Sequence, residues 1–128
     1  MAIRVVRLGG PRAVGEGLRV GTVRRPPRGV PKSEYASRDL YDVWLPDLAP
    51  SEGLLKEGHH ASDERAWLRF VMRYRAEMKR PGAARLLALL AALSHQTDFS
   101  VGCYCAHESH CHRSVLRELL LEHGAKVS

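Results

Sequence analysis

Residues 98–120 read DFSVGCYCAHESHCHRSVLRELL. In the first part, Phe99, Val101 and Cys103 alternate with Ser100, Gly102 and Tyr104. That is the period of a strand, and its apolar content predicts a buried one. From about residue 110 the period lengthens. Val115, Leu116, Leu119 and Leu120 fall at helical spacing and face a core. Gly124 stands where a helix ends in a left-handed C′ conformation. A buried strand, a short polar loop and an amphipathic helix form the repeating unit of an α/β layered domain.

The segments before this unit support the same class. Residues 62–80 predict a helix with Ser62 as N-cap and Asp63 and Glu64 at the positive end of its dipole. Its buried face is Trp67, Phe70, Val71, Tyr74 and Met78. Pro81 and Gly82 stop it. A second helix follows from AARLL, with Leu86, Leu87, Leu90 and Leu93 as its apolar stripe. Short β-branched or alternating runs at 3–8, 18–23 and 40–45 predict three strands, and residues 46–58 a turn and a short helix. Between the second and third strands lies RRPPRGVPKSEY, residues 24–35, whose three prolines exclude a regular helix or a central strand. The order strand, strand, strand, helix, helix, strand, helix predicts an α/β fold. The expected form is a three-layer-like domain, a small and mostly parallel sheet flanked by helices, built as one domain over residues 1–128.

Composition sets the outer limits. The chain has 128 residues, 45% hydrophobic and 27% charged, ordinary for a globular protein. No apolar run approaches the roughly 20 residues that span a bilayer. The opening MAIRVVRLGG has too short an apolar stretch for a signal peptide, so a cytoplasmic protein is expected. The net charge of +6 is unevenly spread. Residues 1–38 hold nine Arg or Lys against two Glu, and residues 69–85 hold six against one. Residues 39–68 reverse this, with two against seven. Two basic blocks of this kind suit either a solvated face or a patch for phosphate or nucleic acid.

All three cysteines, Cys103, Cys105 and Cys111, lie within residues 101–113, together with His107, His110 and His112. An odd number of cysteines argues against a disulfide framework, and clustered thiols in a reducing compartment point to metal binding or reactivity. The cluster runs from the end of a strand into the start of a helix, the place where open α/β sheets bind ligands. A helix N-terminus there attracts anions and favours a thiolate. With Ser109 as N-cap, Cys111 and His112 fall in the first turn, and Arg113 adds a guanidinium suited to phosphate or carboxylate. Two readings stay open. In one, Cys105 or Cys111 is a poised nucleophile, His112 a general acid/base and Arg113 an anion clamp. In the other, Cys103, Cys105 and Cys111 hold zinc or iron with one histidine, His107 foremost, or His110 or His112. The spacing resists the metal reading, because Cys103 and Cys105 on one strand face stand about 6.5–7 Å apart. Two short matches carry less. His110, Cys111 and Arg117 fit HCx5R, but the intervening HRSVL lacks the glycines of a phosphate-wrapping loop. HESHC has Cys111 where HExxH needs its second histidine.

GCYCAHESHCHRSVL, residues 102–116, resembles the C-terminal signature of the bacterial domain of unknown function 488 family, the YeaO-like proteins: a strand ending in Cys, an acidic loop, then CHR opening a helix. RRPPRGVPKSEY resembles that family's RLWPRGV region, DVWLPDLAPS its WLKDLAPS segment, and FVMRYRAEM its FxxRYxxEL helix. The resemblance covers nearly the whole chain. It implies a small α/β fold and a site where these segments meet, at Arg28, Trp44, Asp47, Tyr74, Cys105, Cys111, His112 and Arg113. It implies no reaction. Arg25 and Pro26 replace the family's Leu-Trp, so whatever that aromatic residue does is done differently here. The expected ligand is phosphate-bearing, a small molecule such as a nucleotide or a nucleic acid, with no membrane partner.

Overall fold

The computed structural model describes residues 1–105 and 108–128. Four strands, β1 (Ile3–Arg7), β2 (Leu18–Gly21), β3 (Val43–Trp44) and β4 (Phe99–Cys103), form one sheet in the order β1-β4-β2-β3. Every pairing is parallel, with Val5 and Val20 both level with Val101. Four helices accompany it: α1 (Glu52–His59), α2 (Glu64–Met78), α3 (Pro81–Leu93) and α4 (His112–Glu122). The chain is therefore a small α/β domain, as its periodicities predict. Among the described residues, no helix is long and apolar enough to cross a membrane.

β4 is buried at all five positions because it lies between β1 and β2. Its Phe99 and Val101 join Ile3 and Val20 in the main core, to which all four helices contribute. Trp67, Phe70, Tyr74 and Met78 of α2 are buried as their spacing requires, and Trp67 stacks on Phe70 at 4.9 Å. In α4, Val115, Leu116, Leu119 and Leu120 are buried, and Gly124 ends the helix at φ +87°. Cys103 leaves this core for a second cluster with Leu8, Val23, Tyr41 and Cys111.

Several boundaries differ from the sequence reading, each for a local reason. Asp63, not Ser62, caps α2, its Oδ1 accepting from the Ala66 amide at 2.8 Å. Pro81 does not merely stop α2. It is the first residue of α3, where a fixed φ and a missing N–H cost nothing. Leu93 is exposed, and Ala83 and Ala91 share the buried side of α3 with Leu87 and Leu90. The strand expected at 40–45 shrinks to Val43–Trp44 because Tyr41 turns under the sheet instead. Gly21 makes room for that ring: a Cβ there would stand 2.4 Å from Tyr41 Cδ2. α4 begins at His112 with Cys111, not Ser109, as its N-cap residue.

The other face of the sheet carries Arg19 and Ser100 and is covered by loops. Arg19 is 1% exposed. Its guanidinium pairs with Glu16 at 2.7 and 3.0 Å and donates to the carbonyls of Gly10 at 2.8 Å and Asp39 at 2.7 Å. Glu16 in turn accepts from Ser100 Oγ at 2.7 Å and the Ala13 amide at 3.1 Å. Burial by itself raises the carboxyl's pKa, but Arg19, Ser100 and the Ala13 amide outweigh it, holding the group at about 2 instead of 4.5.

Glu16→Gln leaves the Arg19 charge buried without its counter-ion, and such a loss costs about 3–5 kcal/mol, measurable by urea denaturation at neutral pH. The depressed carboxyl pKa makes the wild-type contribution complete above pH 4.5 and lost as the pH falls towards 2. The urea midpoint of the wild type is expected to drop through that window while the variant's, already low, follows a shallower slope. Parallel slopes for the two proteins would disprove this role for Glu16.

Candidate functional site

Beyond Cys103 the sheet has ended, so the chain is free to bend. The 3-10 turn Glu108–His110 then leads into α4. The turn is fixed from outside: Glu108 pairs with Arg117 at 2.8 and 3.0 Å, and the Cys111 amide donates to the Glu108 carbonyl. Arg117 also donates to the Ser128 carbonyl. Its guanidinium is thus engaged with the turn and the chain's end, away from Cys111, which removes the HCx5R reading.

The bend brings the sulfurs together. Cys103 Sγ and Cys111 Sγ lie 2.8 Å apart, both buried. His112 Nδ1 is 3.9 Å from Cys111 Sγ. The ligand-capable atoms of Cys103, Cys111 and His112 all fall within 4.8 Å of one another. Cys105, a member of the expected metal set, is half-buried and is not among these mutually close ligand atoms. The strand-face separation between Cys103 and Cys105 does not apply, since the strand stops at Cys103. His107, the foremost histidine of the expected metal set, lies outside the described residues. His110 turns outward, its Nε2 3.9 Å from Glu64 and its ring edge-on to Trp67 at 5.1 Å.

His112 is buried and its orientation is set from two sides. Its Nε2 lies 2.8 Å from the Thr22 carbonyl, an acceptor, so Nε2 carries the proton and the Nδ1 lone pair faces Cys111. The ring of Tyr74 meets the imidazole edge-on at 5.6 Å. Tyr74 itself is fully buried and donates to the Leu48 carbonyl at 2.6 Å, so it backs the histidine and does not face a ligand. Thr22 is held by its own amide and hydroxyl, both donating to the Gly102 carbonyl.

The thiols divide their protons unequally. Cys105 is pushed well down by the neighbouring thiols of Cys103 and then Cys111, against its burial and with help from the Arg113 charge. Cys103 is pushed up, because it keeps the proton that it shares with Cys105 and Cys111 and is buried as well. Cys111 is lowered by Cys103 first; Cys105 and burial oppose this, and His112 adds to it. Arg113, 4% exposed, donates to the Cys105 carbonyl at 2.6 Å, and its Nε has no partner among the described residues.

A cavity of about 480 Å3 opens beside this cluster, within the usual size of a ligand pocket. Cys103, Cys105 and His112 line it on one side, Leu55 and His59 of α1 on another, and the segment Val23–Arg28 with Leu40 on a third. The cations of that segment differ in freedom. Arg24 donates to the carbonyls of Ala49 and Pro50, and Arg25 pairs with Glu52. Arg28 is exposed and makes no hydrogen bond or ion pair among the described residues.

Of the residues singled out from the sequence, Arg28, Cys105 and His112 line the cavity, and Cys111 and Arg113 lie just behind it. Trp44 is elsewhere: it faces the neighbouring groove of Lys32, Tyr35 and Tyr41 and donates to the Val23 carbonyl at 2.8 Å. Asp47 is exposed in the 3-10 turn Pro46–Leu48 and is not in the cavity lining. Sequence reasoning missed the Thr22 carbonyl, which no side-chain pattern announces. His59, an exposed residue at the end of α1, also borders the cavity.

No curated protein and no solved structure matches the chain. A family model described as "Active DUF488-N3 subclade" matches residues 3–124, a span that runs from β1 to the glycine closing α4 and contains every residue of this site. The resemblance carried by residues 24–35, 42–51, 70–78 and 102–116 therefore rests on common membership: the chain belongs to the domain of unknown function 488 family.

Proposed function

We propose that the cavity binds a phosphate-bearing ligand, a nucleotide or a stretch of nucleic acid, with the thiols and His112 at its floor placed to act on it. The observation that carries this reading is one cavity with two unlike ends. Its floor is a Cys/His cluster at the carboxyl end of β4, and its rim bears the free cation of Arg28. Apolar walls from Leu40, Pro50 and Leu55 suit a base or sugar, while the rim meets the anionic part. The +6 net charge favours approach of such a ligand. The subclade's description as active agrees with a site whose thiols and imidazole are all in place. Three free thiols at a site of this kind fit a reducing compartment, the cytoplasm.

Binding of adenosine triphosphate and of a short single-stranded oligonucleotide, followed by fluorescence or calorimetry at low salt, tests the anionic half. Arg28→Glu is expected to weaken binding by about tenfold or more and to lower the salt slope for the oligonucleotide by about 1. A wild-type protein that binds neither probe at low salt would defeat the reading, as would an Arg28→Glu variant with unchanged affinity.

Alkylation tests the floor. Cys105 is half-buried and lines the cavity, whereas Cys103 and Cys111 are buried. Mass-spectrometric mapping after brief iodoacetamide treatment is expected to find Cys105 modified first, and a bound nucleotide to slow that reaction. Equal labelling of all three thiols, or labelling indifferent to nucleotide, would count against a ligand seated on this floor.

A further inference from the structure

We infer that Cys103, Cys111 and His112 form a metal site for a zinc-class divalent ion, with the fourth coordination position open to the cavity. This goes beyond ligand binding and does not depend on it, because the site is built from the floor alone. Three observations converge. The two sulfurs and the imidazole are buried together within 4.8 Å, a soft and borderline donor set that suits zinc. They come from two elements, the end of β4 and the start of α4, so the fold and not local sequence spacing assembles them. Nδ1 of His112 is free because Nε2 donates to the Thr22 carbonyl at 2.8 Å, the outer-shell contact that fixes the tautomer and direction of metal-binding histidines.

The distances fit with a small adjustment. Around a tetrahedral zinc, two thiolate sulfurs stand about 3.8 Å apart and a sulfur–nitrogen pair about 3.5 Å, from bond lengths of about 2.3 and 2.0–2.1 Å. The Cys111–His112 pair, at 3.9 Å, is already close to this. The sulfurs, at 2.8 Å, must part by about 1 Å, which rotation about the Cα–Cβ bonds of Cys103 and Cys111 supplies. A disulfide between these two cysteines is the rival arrangement. At 2.8 Å the sulfurs stand between the roughly 2.05 Å of an S–S bond and the zinc separation. A disulfide would leave Nδ1 of His112 without a ligand to bind, so its formation is an overturning outcome of the test below. The open position follows from the lining: Cys103 and His112 both border the 480 Å3 cavity, so an ion among them faces it. Three protein ligands and one exchangeable position are the pattern of catalytic zinc, not structural zinc.

Cobalt(II) titration of the full chain, made metal-free under reducing conditions, reads the site directly. The wild type is expected to bind one ion per chain, with sulfur-to-cobalt charge transfer and intense tetrahedral visible bands, and to release it to zinc. Zinc is also expected to raise the melting temperature. Cys111→Ser and His112→Gln should each lose more than about 100-fold in affinity, beyond what outer-shell changes cause, and their folding is checked by circular dichroism. Cys105→Ser should keep the ion at the same stoichiometry, its bands shifting when a small anion such as azide is added. A wild-type protein that takes up no cobalt and shows no zinc-dependent melting shift, or that carries a Cys103–Cys111 disulfide after air exposure at full zinc loading, would overturn the inference. Loss of the ion in a folded Cys105→Ser variant would overturn the open fourth position. Failure to bind nucleotides would leave these results unchanged and would fall on the preceding proposal alone.

Discussion

The guanidinium of Arg19 is the fixed point from which much of this molecule hangs. In this short parallel sheet the first two strands are joined by a ten-residue loop, and all four α-helices pack on the Val20 and Val101 face, so among the described residues no α-helix covers the second. That loop and the segment leading into β3 do so together: the Gly10 carbonyl and Glu16 carboxylate of the one and the Asp39 carbonyl of the other all meet one buried cation. A buried ion pair of this kind is expensive to desolvate and becomes tolerable when every remaining donor and acceptor is satisfied. Here Ser100 and the Ala13 amide complete the set. The effect reaches the site. Holding Asp39 positions Leu40, a wall of the cavity, and holding β2 positions Thr22, whose carbonyl aims His112.

Given that frame, the site is the product of where β4 stops. Had the strand run on, Cys103 and Cys105 would sit on one face about 6.5–7 Å apart. It stops at Cys103, level with Arg7 of β1. Tyr104 then turns the chain, and α4 starts with Cys111 against the strand's last residue. The same stop leaves the carboxyl ends of the strands facing the basic segment 24–28, and the cavity is the space between.

The sequence revealed what depends on periodicity. β4, α2 and α4, with Trp67, Phe70, Tyr74, Leu116 and Leu120 as core, are legible because a buried face repeats every 2 or about 3.6 residues. The gathering of the thiols at a strand-to-helix junction is legible for the same reason. What stayed hidden depends on contacts between distant segments. Tyr41 leaves the expected strand because Gly21, twenty residues earlier, offers a berth for its ring. Arg19 looks like the polar half of an alternating strand and turns out to be an anchor. Tyr74 and Trp44, grouped with ligand-binding positions through family resemblance, separate once the helices pack: one supports the histidine from the core and the other faces a different groove. The backbone acceptor that orients His112 has no signature in a sequence at all.

The hydrogen bond from His112 to Thr22 has a further consequence for any chemistry at this floor. An imidazole open on both nitrogens can take a proton on one side and pass it out on the other. With Nε2 tied to a carbonyl that accepts and cannot give, this ring has a single working nitrogen. Without an ion at the site, a proton that Nδ1 takes must be returned through Nδ1 to the same small space; with one, Nδ1 is a ligand and takes none. In the metal-free protein, then, the Thr22 carbonyl closes the path through the ring, and any proton exchange of Nδ1 with water would run by way of the cavity.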